Sequence, residues 1–338
     1  MATIKDIAEV TGVSVTTVSN VIHGRNNRVS AETVERINQA IKDLGYIPNM
    51  SARSLVSNSS KVIGFINHAV IRKDSNFMED PFLSTLLGII ESKLRHQGYY
   101  LMVRTVHTPN ELLAFLQNWN VDGLFLTGIF KDTFYDTLNS LNIPVVLIDS
   151  YTKQVNASNV GLDDCLGGYL ATNYLIQKGH RHIAFASPHK HSAGVLKERF
   201  VGYKKALAEA SIPFDKNLVI ESEMDYDSCK TVSDWLCSLP DVTAVVTTAD
   251  IMASGIMTHL RLNGKSIPDD ISVIGFDDIA LARLVNPPLT TIHQNIPEKG
   301  ARAVEMMLEK LQKTTPHQLK YTLPIELVER ESVCNRIN

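Results

Sequence analysis

The chain has 338 residues, 44% hydrophobic and 20% charged, which fits a soluble globular protein of two or three domains able to bury sizeable cores. Its net charge of −3 gives no nucleic-acid bias over the whole molecule, and the first 60 residues, with six Lys/Arg against five Asp/Glu, are too nearly balanced to decide anything. Four widely spaced cysteines without CxxC or zinc-type spacing, no signal-peptide core and no apolar run of the ~18 residues a membrane span needs exclude a disulfide scaffold, a zinc module and a membrane protein; a cytoplasmic protein with reduced thiols is expected.

Residues 4–44 read as three short helices. Thr3 followed by Asp6 is a capping-box start, with Ile4, Ile7 and Ala8 at helical spacing, and Gly12 ends that helix. The next stretch, "SVTTVSNVIHG" (Ser14–Gly24), has six β-branched residues among eleven, so propensity alone favours a strand. Neither face of such a strand is cleanly apolar. As a helix capped by Ser14, the same residues group Val18, Val21 and Ile22 on one side, with Val15 beside them and Thr16, Asn20 and His23 opposite. The helical pattern wins, held by packing rather than propensity. A third helix carries Val34, Ile37, Ala40, Ile41 and Leu44 and stops at Gly45.

Residues 47–60, "IPNMSARSLVSNSS", form a connector with room for one or two helical turns before a polar joint. From Lys61 the rhythm changes. Apolar runs "KVIGFIN", "YYLMVRT", "DGLFLTG", "PVVLIDS", "HIAFAS", "LVIES", "TAVVTTAD" and "ISVIGFDD" alternate with helical stretches at 82–97, 109–119, 166–178, 195–210, 228–238 and 251–262. Continuous apolar strands alternating with amphipathic helices imply an α/β core of parallel sheets covered on both faces, and eight strands suffice for two doubly wound lobes. A helix over 297–313 and a strand "YTLPIELVERES" follow, so more than one crossing between lobes is expected.

The tight "TGVS" turn joining the first two helices suits a unit that lays short polar side chains into a major groove; a generic small helical bundle fits the same pattern. The residues themselves carry a resemblance. "TIKDIAEVTGVSVTTVSNVIHG", "ETVERINQAIKDLGYIPNMSARSL", "GHRHIAF", "ADIMASGI", "VIGFDD" and "PPLTTIHQ" are similar, in order along essentially the whole chain, to the LacI–GalR family of bacterial transcription regulators. The resemblance implies a helix-turn-helix headpiece at 1–46, a hinge helix and linker at 47–60, and a two-lobed effector-binding and dimerisation core at 61–338 resembling periplasmic sugar-binding proteins.

Carried over residue by residue, it makes Ser14–His23 the recognition helix, with Val15, Thr16 and Asn20 toward base edges. Valine at 15 departs from the polar residue frequent there and suits a thymine methyl. Thr3, Ser14, Thr17 and Ser19 are placed for phosphates, which position without specifying. Leu55 matches the leucine that wedges into the minor groove, with Ser51 and Ala52 as the small residues beside it. In the core, Asp149, Asp250 and Asp277 end strands, at the edge where parallel sheets bind ligands, and Arg199 matches a ligand-touching arginine. Each aspartate also reads as an N-cap of the following helix. Phe82 reads either as a ring stacked on a sugar or as a core staple. Met224 and Ala249 stand where relatives often carry a cleft aromatic and an asparagine.

Enzyme signatures are missing: GxSxG, HExxH and GxGxxG do not occur, and "GKS" at 264–266 lacks the earlier P-loop glycine. No cofactor or metal is expected. The expected protein is a homodimer that binds a near-palindromic operator under control of a small, sugar-like effector. A transporter-linked or cytosolic sugar-binding protein without a DNA role is the alternative, and a sugar enzyme the third reading.

Overall fold

The computed structural model describes residues 2–22, 24–46, 59–68, 76–128, 132–151, 157–188, 194–313 and 319–337. Ser51, Ala52 and Leu55, with His23 at the end of the expected recognition helix, lie outside the described residues. The chain divides into two compact units, Met1–Ser60 and Lys61–Asn338.

The smaller unit holds α1 (Ile4–Thr11), α2 (Val15–Ile22) and α3 (Ala31–Asp43). The capping box at the start of α1 is complete: the Asp6 amide donates to Thr3 Oγ1 at 3.4 Å, and the Thr3 amide donates to the Asp6 carboxylate at 2.7 Å. Gly12 ends α1 in the left-handed conformation (φ +65°), which glycine adopts without Cβ strain. Ser14 then caps α2 by accepting the Thr17 amide at 3.1 Å. The β-branched stretch is a helix because Val18 and Val21 close a core with Ile7, Ala8, Ile37 and Ala40. That burial overrides strand propensity.

The larger unit contains β1 (Val62–Asn67), α4 (Pro81–His96), β2 (Tyr100–Thr105), α5 (Pro109–Asn118), β3 (Gly123–Thr127), α6 (Asp132–Ser140), β4 (Val145–Ile148) and β5 (Ser158–Leu162). It continues through α7 (Asp164–Gln177), β6 (Ile183–Ser187), α8 (Gly194–Glu209), β7 (Val219–Glu221), α9 (Tyr226–Ser238), β8 (Ala244–Thr247), α10 (Asp250–Leu262) and β9 (Ser272–Asp277). Last come α11 (Leu281–Leu284), β10 (Thr290–Gln294), α12 (Ile296–Leu311), β11 (Lys320–Leu323) and β12 (Ile325–Val328). The strands make two six-stranded sheets, ordered β11-β5-β4-β3-β1-β2 and β12-β10-β9-β8-β6-β7. All pairings are parallel except β10 with β12. The central strands are buried along their whole length, as sheets covered by helices on both faces require.

This order sends the chain between lobes three times, after β5, after β10 and between β11 and β12. The last crossing corrects the reading of "YTLPIELVERES" as one strand. Pro324 has no amide hydrogen to continue a ladder, and the run splits there into strands of different sheets. Strands β5 and β10 and helices α6 and α11 are additions to the elements expected from sequence.

Helices α7 and α8 approach backbone to backbone. A Cβ on Gly168 would stand 2.0 Å from the Arg199 carbonyl oxygen, and one on Gly202 would stand 2.0 Å from that of Cys165. Only glycine permits this spacing, and it sets Arg199 beside the first turn of α7.

Candidate DNA-reading and effector sites

On α2 the side chains divide as the helical reading expects. Val18 and Val21 are buried, whereas Ser14, Val15 and Thr16 are exposed and Thr17, Ser19 and Asn20 are half-buried. Val15, 45% exposed, is a large apolar side chain facing solvent at the helix start. Its exposed surface is open to a partner. Thr3 is exposed at the start of α1. The Ser14 and Thr17 hydroxyls lie 2.9 Å apart, so the polar groups at the head of α2 are already ordered.

In the larger unit, a buried polar cluster gathers where the C-terminal ends of both sheets meet. Asp149 follows β4 in the left-handed region (φ +53°), and its two carboxylate oxygens each accept a hydrogen bond of 2.7 Å from Lys299 Nζ. Lys299 donates its third bond to Gln294 Oε1 at 2.7 Å, and the Gln294 amide nitrogen donates to Asp277 Oδ1 at 2.5 Å. Asp277 ends β9 at φ +118°, a conformation rare outside glycine.

The second part of the cluster is built on Arg199. Its Nε donates to Asp164 Oδ1 at 2.8 Å and its Nη1 to the Thr248 carbonyl at 2.6 Å, while the guanidinium lies 3.5 Å from the centre of the Phe276 ring. A cation so enclosed requires both a fixed carboxylate and an aromatic face. The Tyr151 hydroxyl sits 2.7 Å from Asp164 Oδ2 and accepts the Asp164 amide at 3.1 Å, which fixes the carboxylate from its other side. Asp80 caps α4 by accepting the Phe82 amide at 2.9 Å. The half-buried Phe82 ring has Lys299 Nζ 5.1 Å from its centre. Phe82 is thus part of the cluster's wall.

Burial drives the charges here. It pushes the Asp277 carboxyl well above its ordinary range; Arg199 opposes the rise and the carboxylates of Asp250 and Asp80 add to it. Asp149 and Asp80 are raised by burial too, against the pull of Lys299 on the first and the Phe82 amide on the second. The site therefore holds more carboxyl groups than cations, and a ligand with hydroxyl groups can exchange hydrogen bonds with them.

Asp250 plays a different part. Ala249 holds the N-cap position of α10 without a side-chain bond, so the Asp250 carboxylate does not cap that helix. It instead accepts the Ile279 amide at 2.9 Å and the Thr291 hydroxyl at 2.5 Å. Those bonds pin the turn after β9, which aims Asp277. Burial pushes the Asp250 carboxyl from an ordinary 3.8 to about 7. The folded pKa being the higher, this stabilisation is complete below about 3.8 and is lost as pH rises through about 7, on the order of 4 kcal/mol when ionisation is complete. His180, lowered by burial to about 4, has the opposite sign and loses stability as pH falls below 6.5. Asp250→Asn is expected to flatten the decline of melting temperature between roughly pH 4 and 7; an unchanged decline contradicts the assignment.

Sequence reading missed Lys299, Gln294, Asp164, Tyr151 and Asp80. Lys299 left a signal: it falls on the buried stripe of α12 formed by Ile296, Ala303, Val304 and Met307. A lysine on an apolar face needs a buried acid, and here that acid is 150 residues away. Among the described residues, no group of His, Cys, Asp or Glu is arranged to hold a metal, and no helix is long and apolar enough to cross a membrane.

A three-helix unit with an exposed second-helix start, followed by two doubly wound lobes with polar groups converging at their strand ends, defines a helix-turn-helix regulator with a ligand-responsive core. Residues 3–49 match the bacterial regulatory proteins of the lacI family, and residues 172–333 match a periplasmic binding protein-like domain. The chain is 36% identical to the HTH-type transcriptional repressor PurR of Vibrio atlanticus, covering 98% of this chain and 99% of that one, and 35% identical to PurR of Histophilus somni at the same coverage. Among solved structures, the lac repressor dimer bound to operator and the anti-inducer ONPF matches at a TM-score of 0.84 and 26% identity over 98% of this chain and 99% of that one. The complex of the regulator CelR with cellobiose matches at 0.72 and 28%, covering 98% and 100%. The chain belongs to the lacI family of bacterial regulatory proteins. It is a DNA-binding transcriptional regulator rather than an enzyme, and its headpiece disposes of the reading as a sugar-binding protein without a DNA role.

Proposed function

We infer that the protein is a cytoplasmic, dimeric repressor whose grip on a near-palindromic operator is set by a small sugar or sugar derivative held between the two lobes of its core. Val15, Thr16 and Asn20 read bases, Val15 by contact with a thymine methyl, while Thr3, Ser14, Thr17 and Ser19 hold phosphates. Ser51, Ala52 and Leu55 enter the minor groove, Leu55 as the wedge. A two-fold dimer presents two such units, hence the near-palindrome. Phe82, Asp149, Arg199 and Asp277 contact the effector, and Asp250 acts in support by fixing the turn that carries Asp277. The effector prefers one lobe arrangement over the other and so shifts operator affinity, by a coupling of typically ~1–3 kcal/mol that acts in both directions.

One observation carries this reading: a helix start exposing Val15 and Thr16 belongs to the same chain as a buried, acceptor-rich cluster drawn from both lobes. Cellobiose on CelR and ribose on a regulator from Enterococcus faecium support a sugar as the effector class. The test is a thermal-shift screen of sugars, sugar phosphates and nucleobases against wild type and Asp277→Asn. At least one sugar is expected to raise the melting temperature of the wild type and leave the variant unmoved. Equal shifts in both would remove Asp277 from the site, and a response to nucleobases alone would replace the sugar.

A further inference from the structure

We propose that Lys299 and Gln294 are positioning residues that tie the first lobe to the Asp277 carboxylate of the second, a role that rests on the reading of Asp277 as an effector contact. Lys299 is fully buried. Enclosing an ammonium group is costly unless its charge and all three donors are matched. Here the charge is matched by the Asp149 carboxylate, whose two oxygens both approach Nζ, and a further donor by Gln294 Oε1, each at 2.7 Å. The work of Lys299 lies in what it does to Gln294.

A glutamine amide presents one accepting and one donating end. With the ammonium on its oxygen, the nitrogen must face Asp277, and it does so at 2.5 Å from Oδ1. The reverse orientation would set N–H groups against the ammonium, a direct repulsion. Lys299 therefore fixes the Gln294 amide, and Gln294 engages Asp277 Oδ1 in the second lobe. Gln294 is the last residue of β10, and five residues later Lys299 stands on α12, which packs on β4, β5 and α4 of the first lobe. Any shift of the lobes across this crossing must break the Lys299–Gln294 bond or move Asp277. A ligand that claims Asp277 acts on the same chain of bonds from its other end, which is a two-way coupling through named atoms.

The test uses the full-length protein without ligand or DNA, read by hydrogen exchange and mass spectrometry. Lys299→Met combined with Asp149→Asn removes both charges together, so no buried ion is left unpaired, and asparagine tolerates the left-handed backbone at 149. This double variant is expected to melt within about 3 °C of wild type. Its amides at 276–282, in the other lobe, are expected to exchange about tenfold faster. Gln294→Leu keeps the Asp149–Lys299 pair, folds independently of the first variant's fate, and is expected to give the same acceleration. A merely local structural role would change exchange only near residues 145–150 and 296–304. Unchanged protection at 276–282 in whichever of the two variants folds would overturn the relay. Because the measurement contains no effector, its failure leaves the repressor reading standing, and a silent ligand screen leaves the relay standing.

Discussion

Arg199→Met is expected to destabilise the larger unit by about 3–5 kcal/mol, the range for removing one partner of a buried ion pair. Arg199 is 7% exposed, and its guanidinium serves three neighbours at once: the Asp164 carboxylate, the Thr248 carbonyl and the Phe276 ring. Methionine fills much of the volume and keeps contact with the ring. It leaves Asp164 buried without its cation and deprives Asp277 of the charge that opposes its rise. With Arg199 gone, the Asp277 carboxyl rises further above its ordinary range, so the loss has a direction in pH. It is smallest near pH 4, where the unfolded chain also takes up the protons, and grows toward neutrality. Urea unfolding of the full-length variant at the two pH values checks both statements. A larger-unit transition that matches wild type at neutral pH would show that Arg199 is not the electrostatic centre of the cluster.

Ile37→Ala is expected to cost about 2–5 kcal/mol, the range for truncating a fully buried isoleucine. In the larger unit such a loss would be absorbed. The headpiece has no such reserve, since a unit of about 60 residues buries little surface and is marginal to begin with. Ile37 is fully buried in a core of six residues that includes Val18 and Val21 of α2. With that core opened, the β-branched run of α2 loses the packing that made it a helix, and Val15, Thr16 and Asn20 lose their common face. The larger unit has its own cores and should melt as in wild type. Circular dichroism and calorimetry of the full-length variant are expected to show a lost minor helical transition and an unshifted major one; a shift of the major transition contradicts the independence of the two units.

The headpiece was legible because its signals are local. Thr3 and Asp6 are three residues apart, Ser14 caps its own helix, and the period of Val18, Val21 and Ile22 lies within one turn. Eight of the core strands were legible for the same reason, each being a short apolar run. Strand β5, "SNVGL", and β10, "TTIHQ", hide because polar residues break their apolar pattern, although their burial is nearly complete. The effector cluster was half legible. Asp149 and Asp277 announce themselves as acids ending strands, but Asp149 meets Lys299, and Arg199 meets Asp164, only through the sheet order and the crossings. Asp250 shows the limit from the other side: its position at a strand end suggested a ligand contact or a cap, and it caps no helix but accepts bonds from Ile279 and Thr291 that no local pattern foretells.

The most direct measurement is a fluorescence-anisotropy titration of full-length protein, alongside Ile37→Ala, on the DNA upstream of its own gene. Wild type is expected to bind saturably in the presence of excess random competitor DNA, to weaken steeply as salt rises, and to respond to a sugar that also shifts its melting temperature. Ile37→Ala is expected to lose that binding. Wild-type binding no tighter than to random DNA at low salt, with and without the screened compounds, would contradict the account.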